Sequence, residues 1–379
     1  MHLTREEEGI LGGEKGEGKK KAMEILVSLG DIHDADGLTP VSSVQVSGVS
    51  YKTIGDAGLE FLNDFASSGA KISCLTTLNP MGVDLDSWQE LGFSEVFVRK
   101  QKEIISAYTA MGILPSCTCA PYLIGNLPKF GKSVAWAESS SAIFANSAIG
   151  ARTNRESGVS ALASAIVGKT PLWGLHLEEN RNPTFQVNAQ NILYTRSDYA
   201  ALGYYIGKNF EGIPLFTGIA PSLDDMKIMG AALATGTIGM FHVEGVTPES
   251  QTAQREKMEK VDIGREELDE TYEMLTTVDD PDLVCIGCPH CSIDEIRAIL
   301  DMNPRRETWI FTPKQIKDQM QRHVKNENVK IISDTCMVVS PLEDLCIKSL
   351  GTNSSKCALY SKNLSGLDVK FDSVEELLK

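Results

Sequence analysis

The sequence predicts an α/β protein built on parallel sheets. The clearest indication is residues 282–333, where short apolar runs alternate with helical patterns. Strands separated by helices form βαβ units, which imply a parallel sheet covered by helices. The chain has 379 residues, enough for two or three domains, and is 42% hydrophobic and 23% charged. This composition is that of an ordinary globular protein with a sizeable core.

Helices and strands also alternate in the first 150 residues. A helix is predicted where apolar residues recur with a helical period, as Leu59, Leu62 and Phe65 do. The helices predicted in this way are 56–67, 102–111 and 139–148. The predicted strands are 71–75, 113–114 and 133–137.

Residues 282–333 predict three strands and two helices. Ser292 begins the first helix, and Glu295 three residues later completes a capping box. Thr312 and Pro313 form a second capping signature, with Pro313 at the first helical position. The predicted strands of this βαβαβ unit are 283–286, 308–311 and 329–332.

Three α/β subdomains are expected. The first covers 1–130 and carries possible anion-binding loops. The second covers 131–275 and carries a motif rich in arginine, asparagine and serine. The third covers 276–379 and carries most of the clustered cysteines.

The formal charge of −15 argues against a nucleic-acid partner, which would select a basic surface. The acidic start lacks the pattern of a secretion signal, and no apolar run has the length of a membrane span. A cytoplasmic location is therefore expected, where thiols stay reduced. The nine cysteines are then expected to be free, metal-ligating or catalytic rather than disulfide-bonded.

Six of the nine cysteines fall in three short motifs, at 117–119, 285–291 and 334–336. Thiolates gathered from distant parts of a chain usually hold a metal or an iron–sulfur cluster. Cys288 and Cys336 follow predicted strands, and ligands of open α/β sheets bind beyond the carboxyl ends of strands. A helix N-terminus beside Cys291 would also favour a thiolate. These segments are therefore expected to meet in one crevice.

Each cysteine motif has a plainer interpretation. Cys285 lies inside an apolar strand and is expected to be buried and inert. The loop cysteines could bind structural zinc, which prefers four closed ligands. Of the pair Cys117 and Cys119, the second is favoured as the ligand because the strand ends just after it. Cys336 could be a buried cysteine in a turn, and His290 could be a ligand, a base or a residue that stabilises the turn.

Several polar segments could bind an anion. The small-residue loop 46–51 offers backbone N–H groups, and the turn 76–82 follows a strand. The loop 351–356 is rich in donors and carries one cation. Arg152 and Arg155 could clamp a carboxylate through bidentate hydrogen bonds. The alternatives are ordinary turns for the loops and a salt-bridge network between helices for the arginines.

Five motifs taken together resemble the aconitase X family. They are Cys-Thr-Cys-Ala-Pro-Tyr at 117–122, Gly-Ala-Arg-Thr-Asn-Arg-Glu at 150–156, Gly-Cys-Pro-His-Cys-Ser at 287–292, Asp-Thr-Cys at 334–336 and Thr-Asn-Ser-Ser-Lys at 352–356. The resemblance extends to about residue 360. It implies an aconitase-like core of parallel or mixed sheets flanked by helices, lacking the swivelling domain.

The resemblance also implies a function. Members of this family are dehydratases, and the archaeal form is a two-subunit enzyme that converts (R)-5-phosphomevalonate to trans-anhydromevalonate 5-phosphate in the isoprenoid (mevalonate) pathway. A separate small subunit supplies the swivelling domain, and neither a membrane nor nucleic acid takes part. The alternatives are a lyase similar to those acting on cis-3-hydroxyproline, or a non-catalytic subunit that binds an iron–sulfur cluster or zinc.

Carried over by motif, the resemblance implies a [4Fe–4S] cluster with three cysteine ligands and one open iron. The ligands would be Cys119, Cys288 and Cys336, with Cys117 and Cys291 as alternates. Substrate contacts would be Gly48, Val49, Ser50, Asn79 and Pro80, with Arg152, Arg155 and Lys356 as further candidates. The catalytic base is not identified, and its candidates are Ser139, Ser140, His290 or a hydroxyl of the small subunit. Ser355 departs from the glycine that is commoner in this motif, which affects how closely the backbone approaches an anion.

Overall fold

The computed structural model describes residues 1–253 and 258–379 as three parallel sheets flanked by helices, with one antiparallel ribbon. The helices are α1 (Arg5–Leu11), α2 (Glu17–Ile32), α3 (Tyr51–Ser67), α4 (Trp88–Leu91), α5 (Glu95–Ala110), α6 (Ser139–Phe144), α7 (Gly158–Val167), α8 (Arg196–Asn209), α9 (Leu223–Leu233), α10 (Arg265–Leu275), α11 (Ile293–Asp301), α12 (Lys314–Met320), α13 (Ser355–Ser365) and α14 (Val374–Leu377). The strands are β1 (Leu38–Pro40), β2 (Ser43–Val46), β3 (Leu75–Leu78), β4 (Ala135–Trp136), β5 (Lys169–Pro171), β6 (Phe185–Asn188), β7 (Pro214–Thr217), β8 (His242–Val243), β9 (Glu259–Asp262), β10 (Leu283–Ile286), β11 (Thr308–Thr312), β12 (Val329–Ser333), β13 (Ser349–Thr352) and β14 (Asp368–Phe371).

The first sheet has the order β3-β2-β4, and all its strands are parallel. In its register Val44 lies opposite Thr76 on one side and Ala135 on the other. Every residue of β2 is buried, which is typical of a parallel strand covered on both faces. Apolar residues of α2, α3, α5 and α7 share one core with these strands. The strand β4 lies beyond residue 130, so this sheet extends past the first predicted subdomain boundary.

The second sheet has the order β8-β7-β6-β9 and is also parallel. The helices α8 and α9 pack closely beside it. A Cβ atom on Gly203 would lie only 2.5 Å from the Met229 carbonyl oxygen, so α8 can approach α9 only with glycine at this position.

The third sheet has the order β12-β11-β10-β13-β14 with all strands parallel. The predicted βαβαβ unit is confirmed as β10, α11, β11, α12 and β12. The capping box at its first helix is also confirmed, because Ser292 Oγ accepts from the Glu295 N–H and Glu295 Oε2 accepts from the Ser292 N–H. The second capping signature is wrong: Pro313 is itself the N-cap, and the Thr312 hydroxyl donates to the Cys291 carbonyl oxygen instead.

The helices predicted before residue 150 are confirmed with shifted ends, as α3, α5 and α6, the last continuing as a π-helix at Ala145–Ile149. The strand predicted at 71–75 is wrong, because β3 begins at Leu75. Residues 113–114 form no strand, and the strand predicted at 133–137 is limited to β4. In the described ranges, no helix combines the length and apolar character needed to cross a membrane.

The carboxyl ends of the first and third sheets lie against each other. The Met81 N–H donates to the Asp334 carbonyl oxygen at 3.0 Å, and Met81 forms an isolated parallel bridge with Thr335. Polar residues lie within four positions of the ends of several strands: Asn79 after β3, Glu138 after β4, Cys288 after β10, Cys336 after β12 and Lys356 after β13. The fold thus collects five segments from two sheets at one place.

Candidate functional site

One small cavity lies where these strand ends meet. Cys119, Cys288 and Cys336 all line it. The other lining residues are Asn79, Pro80, Glu138, Ser140, Pro289, Val338, Val339 and Lys356. A larger and more open cleft of about 690 Å³ lies elsewhere, but none of its lining residues is a predicted site residue. The structure therefore brings the three predicted ligands together with four further predicted residues, Asn79, Pro80, Ser140 and Lys356.

The three cysteines of the cavity differ in their surroundings. The thiols of Cys288 and Cys336 interact directly, and this interaction together with the Lys356 charge lowers the pKa of Cys288 against the effect of burial. The same interaction and burial raise the pKa of Cys336. Burial also raises the pKa of Cys119, whose Sγ accepts a hydrogen bond from the His290 N–H at 3.2 Å. The site thus favours one thiolate among three closely placed thiols.

The remaining cysteines of the three motifs do not reach the cavity. All nine cysteines of the chain are free. Cys117 is buried in the core of the first sheet, and Cys291 in the core beneath α11 and α12. Cys285 is fully buried in β10, as predicted. Cys357 is buried nearby, but its Sγ lies 3.6 Å from Ser361 Oγ and it does not line the cavity.

The donor set fits an iron–sulfur cluster better than a single ion. Residues 1–253 and 258–379 contain no group of three His, Cys, Asp or Glu side chains that could hold one metal ion. A zinc ion requires ligands that converge at about 2.3 Å from one point. An iron–sulfur cluster is held by thiolates on different irons, so its ligands need not converge on one point. Three thiols lining one buried cavity suit the second arrangement.

A charged pair, Glu138 and Lys356, also lines the cavity. Lys356 Nζ donates to Glu138 Oε1 and, at 2.9 Å, to Ser139 Oγ. Burial would raise the pKa of Glu138, but the charge and hydrogen bond of Lys356, together with the hydrogen bonds from Asn79 and Ser140, outweigh burial and lower that pKa to about 2. In the same way Glu138 raises the pKa of Lys356 although burial would lower it. Both side chains are therefore charged in the resting site.

Asn79 and Ser140 complete the environment of the Glu138 carboxylate. Asn79 Nδ2 donates to Glu138 Oε2 at 2.7 Å, and the Ser140 N–H and hydroxyl donate to Oε1 at 3.3 and 3.1 Å. Asn79 Oδ1 is buried and has no hydrogen-bond partner among the residues that the structure describes. A lone buried acceptor beside a cavity is suited to a ligand that brings a donor.

Some predicted residues lie behind the cavity or away from it. Ser50 Oγ donates to the carbonyl oxygen of Val339, a lining residue, at 2.8 Å. The carbonyl oxygen of Gly48 accepts from the Tyr108 hydroxyl, and that of Val49 from the Gln101 side chain. The loop 48–50 thus supports the cavity wall in this structure.

The two arginines do not form a carboxylate clamp at this cavity. Arg152 donates to the His176 carbonyl oxygen and pairs with Glu178. Arg155 donates to the carbonyl oxygens of Ala234 and Gly236. Arg152 therefore contacts a segment close to it in the chain, whereas Arg155 connects the motif to the end of α9 and the residues that follow it.

Glu138 is the main residue that sequence reasoning did not assign. It follows the end of the buried strand β4, at the edge where ligands bind. A charged residue at that position was the available signal. Its partner Lys356 lies 218 positions later, and no local pattern connects the two.

Comparison with known proteins identifies the family. Family models match three consecutive parts of the chain: Aconitase X first domain at residues 1–179, second domain at 183–273 and third domain at 281–379. The chain belongs to the aconitase X family. The predicted aconitase-like α/β core is confirmed, and residues 1–253 and 258–379 contain no swivelling domain. A solved relative, the holo-form of Thermococcus kodakaraensis aconitase X, has a TM-score of 0.94 and 44% identity, and the match covers 100% of this chain and 99% of that one.

Two kinds of aconitase X relative are named dehydratases. The phosphomevalonate dehydratase large subunit of Methanocaldococcus jannaschii is 49% identical over 401 residues, which cover 100% of each chain. The cis-3-hydroxy-L-proline dehydratase of Hypocrea jecorina is 33% identical, and the match covers 99% of this chain but 67% of that enzyme. In length and identity the chain is therefore more similar to the large-subunit relative.

Proposed function

We propose that this chain is the catalytic large subunit of a hydro-lyase that removes water from (R)-5-phosphomevalonate to give trans-anhydromevalonate 5-phosphate, in isoprenoid biosynthesis. The observation that carries the proposal is one cavity lined by three cysteines, a lysine and a buried carboxylate. The named activity of the full-length large-subunit relative supports the choice of substrate.

The cofactor in this proposal is a [4Fe–4S] cluster held by Cys119, Cys288 and Cys336. Held by these three cysteines, such a cluster would leave one iron without a protein ligand and would supply Lewis-acid chemistry for the loss of the hydroxyl. The thiolate favoured at Cys288 and the adjacent Lys356 charge suit an anionic cluster. The free state of all nine cysteines fits a reducing compartment, and we place the protein in the cytoplasm.

Lys356 is the residue suited to the anionic end of the substrate that enters the cavity. In the resting site its charge is matched by Glu138. A substrate carboxylate beside Lys356 would share that charge, and the Asn79 Oδ1 acceptor would receive a substrate hydroxyl. Recognition then rests on one charge contact and one hydrogen bond in a site with little water.

Glu138 is the proposed proton acceptor. When a substrate anion shares the Lys356 charge, burial raises the pKa of Glu138 and makes its carboxylate a stronger base. The carboxylate would take the proton from the carbon next to the substrate carboxylate, while Ser140 and Asn79 hold it in place. Ser139 and Ser140 are the alternative acceptors, since Ser139 Oγ receives a hydrogen bond from Lys356.

The loop 48–50 is the proposed contact for the other anionic end of the substrate. It lies directly behind the cavity wall, because the Ser50 hydroxyl donates to the carbonyl oxygen of Val339. The proposed partner is a small subunit that carries the swivelling domain and closes the cavity. The name of the large-subunit relative supports a two-chain enzyme.

Anaerobic reconstitution tests the proposal. The chain is loaded with iron and sulfide, combined with the presumed small subunit, and assayed for loss of water from (R)-5-phosphomevalonate, with cis-3-hydroxy-L-proline as the competing substrate. Dehydration of phosphomevalonate alone is the expected result. If a complex shown to contain the cluster dehydrates neither compound, the protein is not a lyase of this kind. If it prefers cis-3-hydroxy-L-proline, the reaction class stands but the proposed substrate is wrong.

A further inference from the structure

His290 lies at the junction of the three cysteine segments. Its ring is fully buried, with Nδ1 2.9 Å from the Thr118 hydroxyl and Nε2 2.7 Å from the Thr335 carbonyl oxygen. Thr118 immediately precedes Cys119, and Thr335 immediately precedes Cys336. One side chain thus connects the segments that carry all three proposed ligands, since His290 itself follows Cys288 by two residues.

The hydrogen bonds of the ring define its tautomer. A carbonyl oxygen only accepts, so the contact with Thr335 requires a hydrogen on Nε2. The Thr118 oxygen already accepts from the Ala120 N–H at 3.0 Å, and within the described chain the His290 ring is the acceptor available to its hydroxyl hydrogen. Nδ1 therefore accepts from Thr118, and the imidazole is neutral with its hydrogen on Nε2.

The backbone N–H and carbonyl groups of His290 also form hydrogen bonds. Its N–H donates to Cys119 Sγ at 3.2 Å, and its carbonyl oxygen accepts from Lys227 Nζ at 3.1 Å. Lys227 projects from α9 of the second domain and pairs with Glu295 and Asp224. Every polar group of His290 is therefore used, and together these groups join all three domains.

We propose that His290 is a positioning residue for the cluster ligands: as a neutral imidazole with its hydrogen on Nε2, it holds the segments of Cys119, Cys288 and Cys336 in one fixed arrangement. Because both ring nitrogens are engaged and the ring does not line the cavity, it has no free atom with which to act as the base. The role depends on the proposed cluster, since the cluster is what the three segments would hold. Partners of this kind commonly change metal affinity about 10- to 100-fold.

Thr118→Val tests the connection by removing the hydroxyl at nearly constant volume. After anaerobic reconstitution, this variant should lose iron to a ferrous chelator about 10- to 100-fold faster than the unmodified protein. Thr118→Ser, which keeps the hydroxyl, should behave as the unmodified protein does. Thr271→Val is the matched control, because Thr271 is a fully buried threonine whose hydroxyl donates within α10 to the Glu267 carbonyl oxygen. Equal iron loss in the two valine variants would overturn the proposal.

Nitrogen NMR of the cluster-free protein provides a measurement that needs no stable Thr118 variant. With ¹⁵N-labelled histidine, the signal that disappears in His290→Gln should show hydrogen on Nε2 and none on Nδ1. Hydrogen on Nδ1 would overturn the proposal. The two failures are distinguishable: if the unmodified chain takes up no iron and sulfide, the proposed cofactor is wrong, whereas a loaded chain that is indifferent to Thr118→Val refutes only the role of His290.

Discussion

Replacing Lys356 with methionine tests the charged pair in the cavity. The Glu138 and Lys356 side chains are only 15% and 12% exposed. Burial would raise the pKa of Glu138, but Lys356, with help from the Asn79 and Ser140 hydrogen bonds, outweighs burial and lowers that pKa from 4.5 to about 2. This difference corresponds to about 3 kcal/mol of stability at neutral pH. Breaking a buried pair costs about 3–5 kcal/mol, and the donors Asn79 and Ser140 remain, so we expect a loss of about 3 kcal/mol.

The contribution of Glu138 to the stability of the folded protein should change with pH in a definite direction. The pKa of Glu138 is lower in the folded protein than in the unfolded chain, so its stabilisation is complete above about pH 4.5 and is lost as the pH falls towards 2. In Lys356→Met, burial raises the pKa of Glu138 instead. The variant should therefore lose stability as the pH rises through that higher pKa, where the unpaired carboxyl ionises.

Urea unfolding of the cluster-free protein at pH 7 measures these effects. Adding Glu138→Gln to Lys356→Met should recover at least about 2 kcal/mol, because the unpaired charge is gone. The control Lys169→Met breaks a pair with the buried Glu7, 2.6 Å apart, in the first domain away from the cavity. It should lower stability but leave substrate binding unchanged. If the double variant instead loses as much unfolding free energy as the two single variants together, Glu138 and Lys356 do not stabilise each other and the predicted pair is wrong.

Three further predictions concern the cluster ligands, the cavity wall at Val339 and the close packing of α8 against α9. Cys288→Ser should greatly reduce bound iron after reconstitution, whereas Cys285→Ser, in the buried strand, should keep it; equal iron contents would contradict the ligand assignment. Ser50→Ala should raise the substrate Kd, measured by calorimetry, far more than it lowers iron content, because its hydroxyl holds the Val339 carbonyl oxygen; equal loss of both counts against that role. Gly203→Ala should lower the free energy of unfolding by about 1–3 kcal/mol, since its Cβ would lie 2.5 Å from a carbonyl oxygen of α9; an unchanged urea midpoint would exclude that close approach.

Three strands of the third sheet, β10, β11 and β12, were predictable because they are largely apolar runs and the capping box at Ser292 fixes where α11 begins. The strands β13 and β14 were not predicted, because polar residues and glycine interrupt their apolar pattern. The strand β3 was misplaced because Thr76 and Thr77 appear turn-like, although both are buried with their hydroxyls hydrogen-bonded. Burial of a polar strand depends on partners elsewhere in the chain, which a local pattern does not contain.

The site was predictable where strand ends and a family motif coincide. Cys119, Cys288 and Cys336 lie in family motifs near predicted strand ends, whereas Asn79 was singled out in a polar turn and Lys356 in a motif alone. The structure collects all five in one cavity. No comparable sequence signal showed where Arg152, Arg155 and Glu138 lie relative to the cavity. The motif at 150–156 is equally compatible with a substrate clamp and with a salt-bridge network between helices, and only the three-dimensional structure shows that both guanidinium groups donate to backbone carbonyl oxygens.

The central claim is that Cys119, Cys288 and Cys336 hold an iron–sulfur cluster with one iron open to substrate. Mössbauer spectroscopy of the ⁵⁷Fe-reconstituted complex, with and without (R)-5-phosphomevalonate, tests it most directly. We expect substrate to change the Mössbauer signal of one iron and to leave the signals of the other irons unchanged. Stoichiometric zinc without iron and sulfide in anaerobically prepared protein, or a loaded cluster in which no iron responds to substrate, would contradict it.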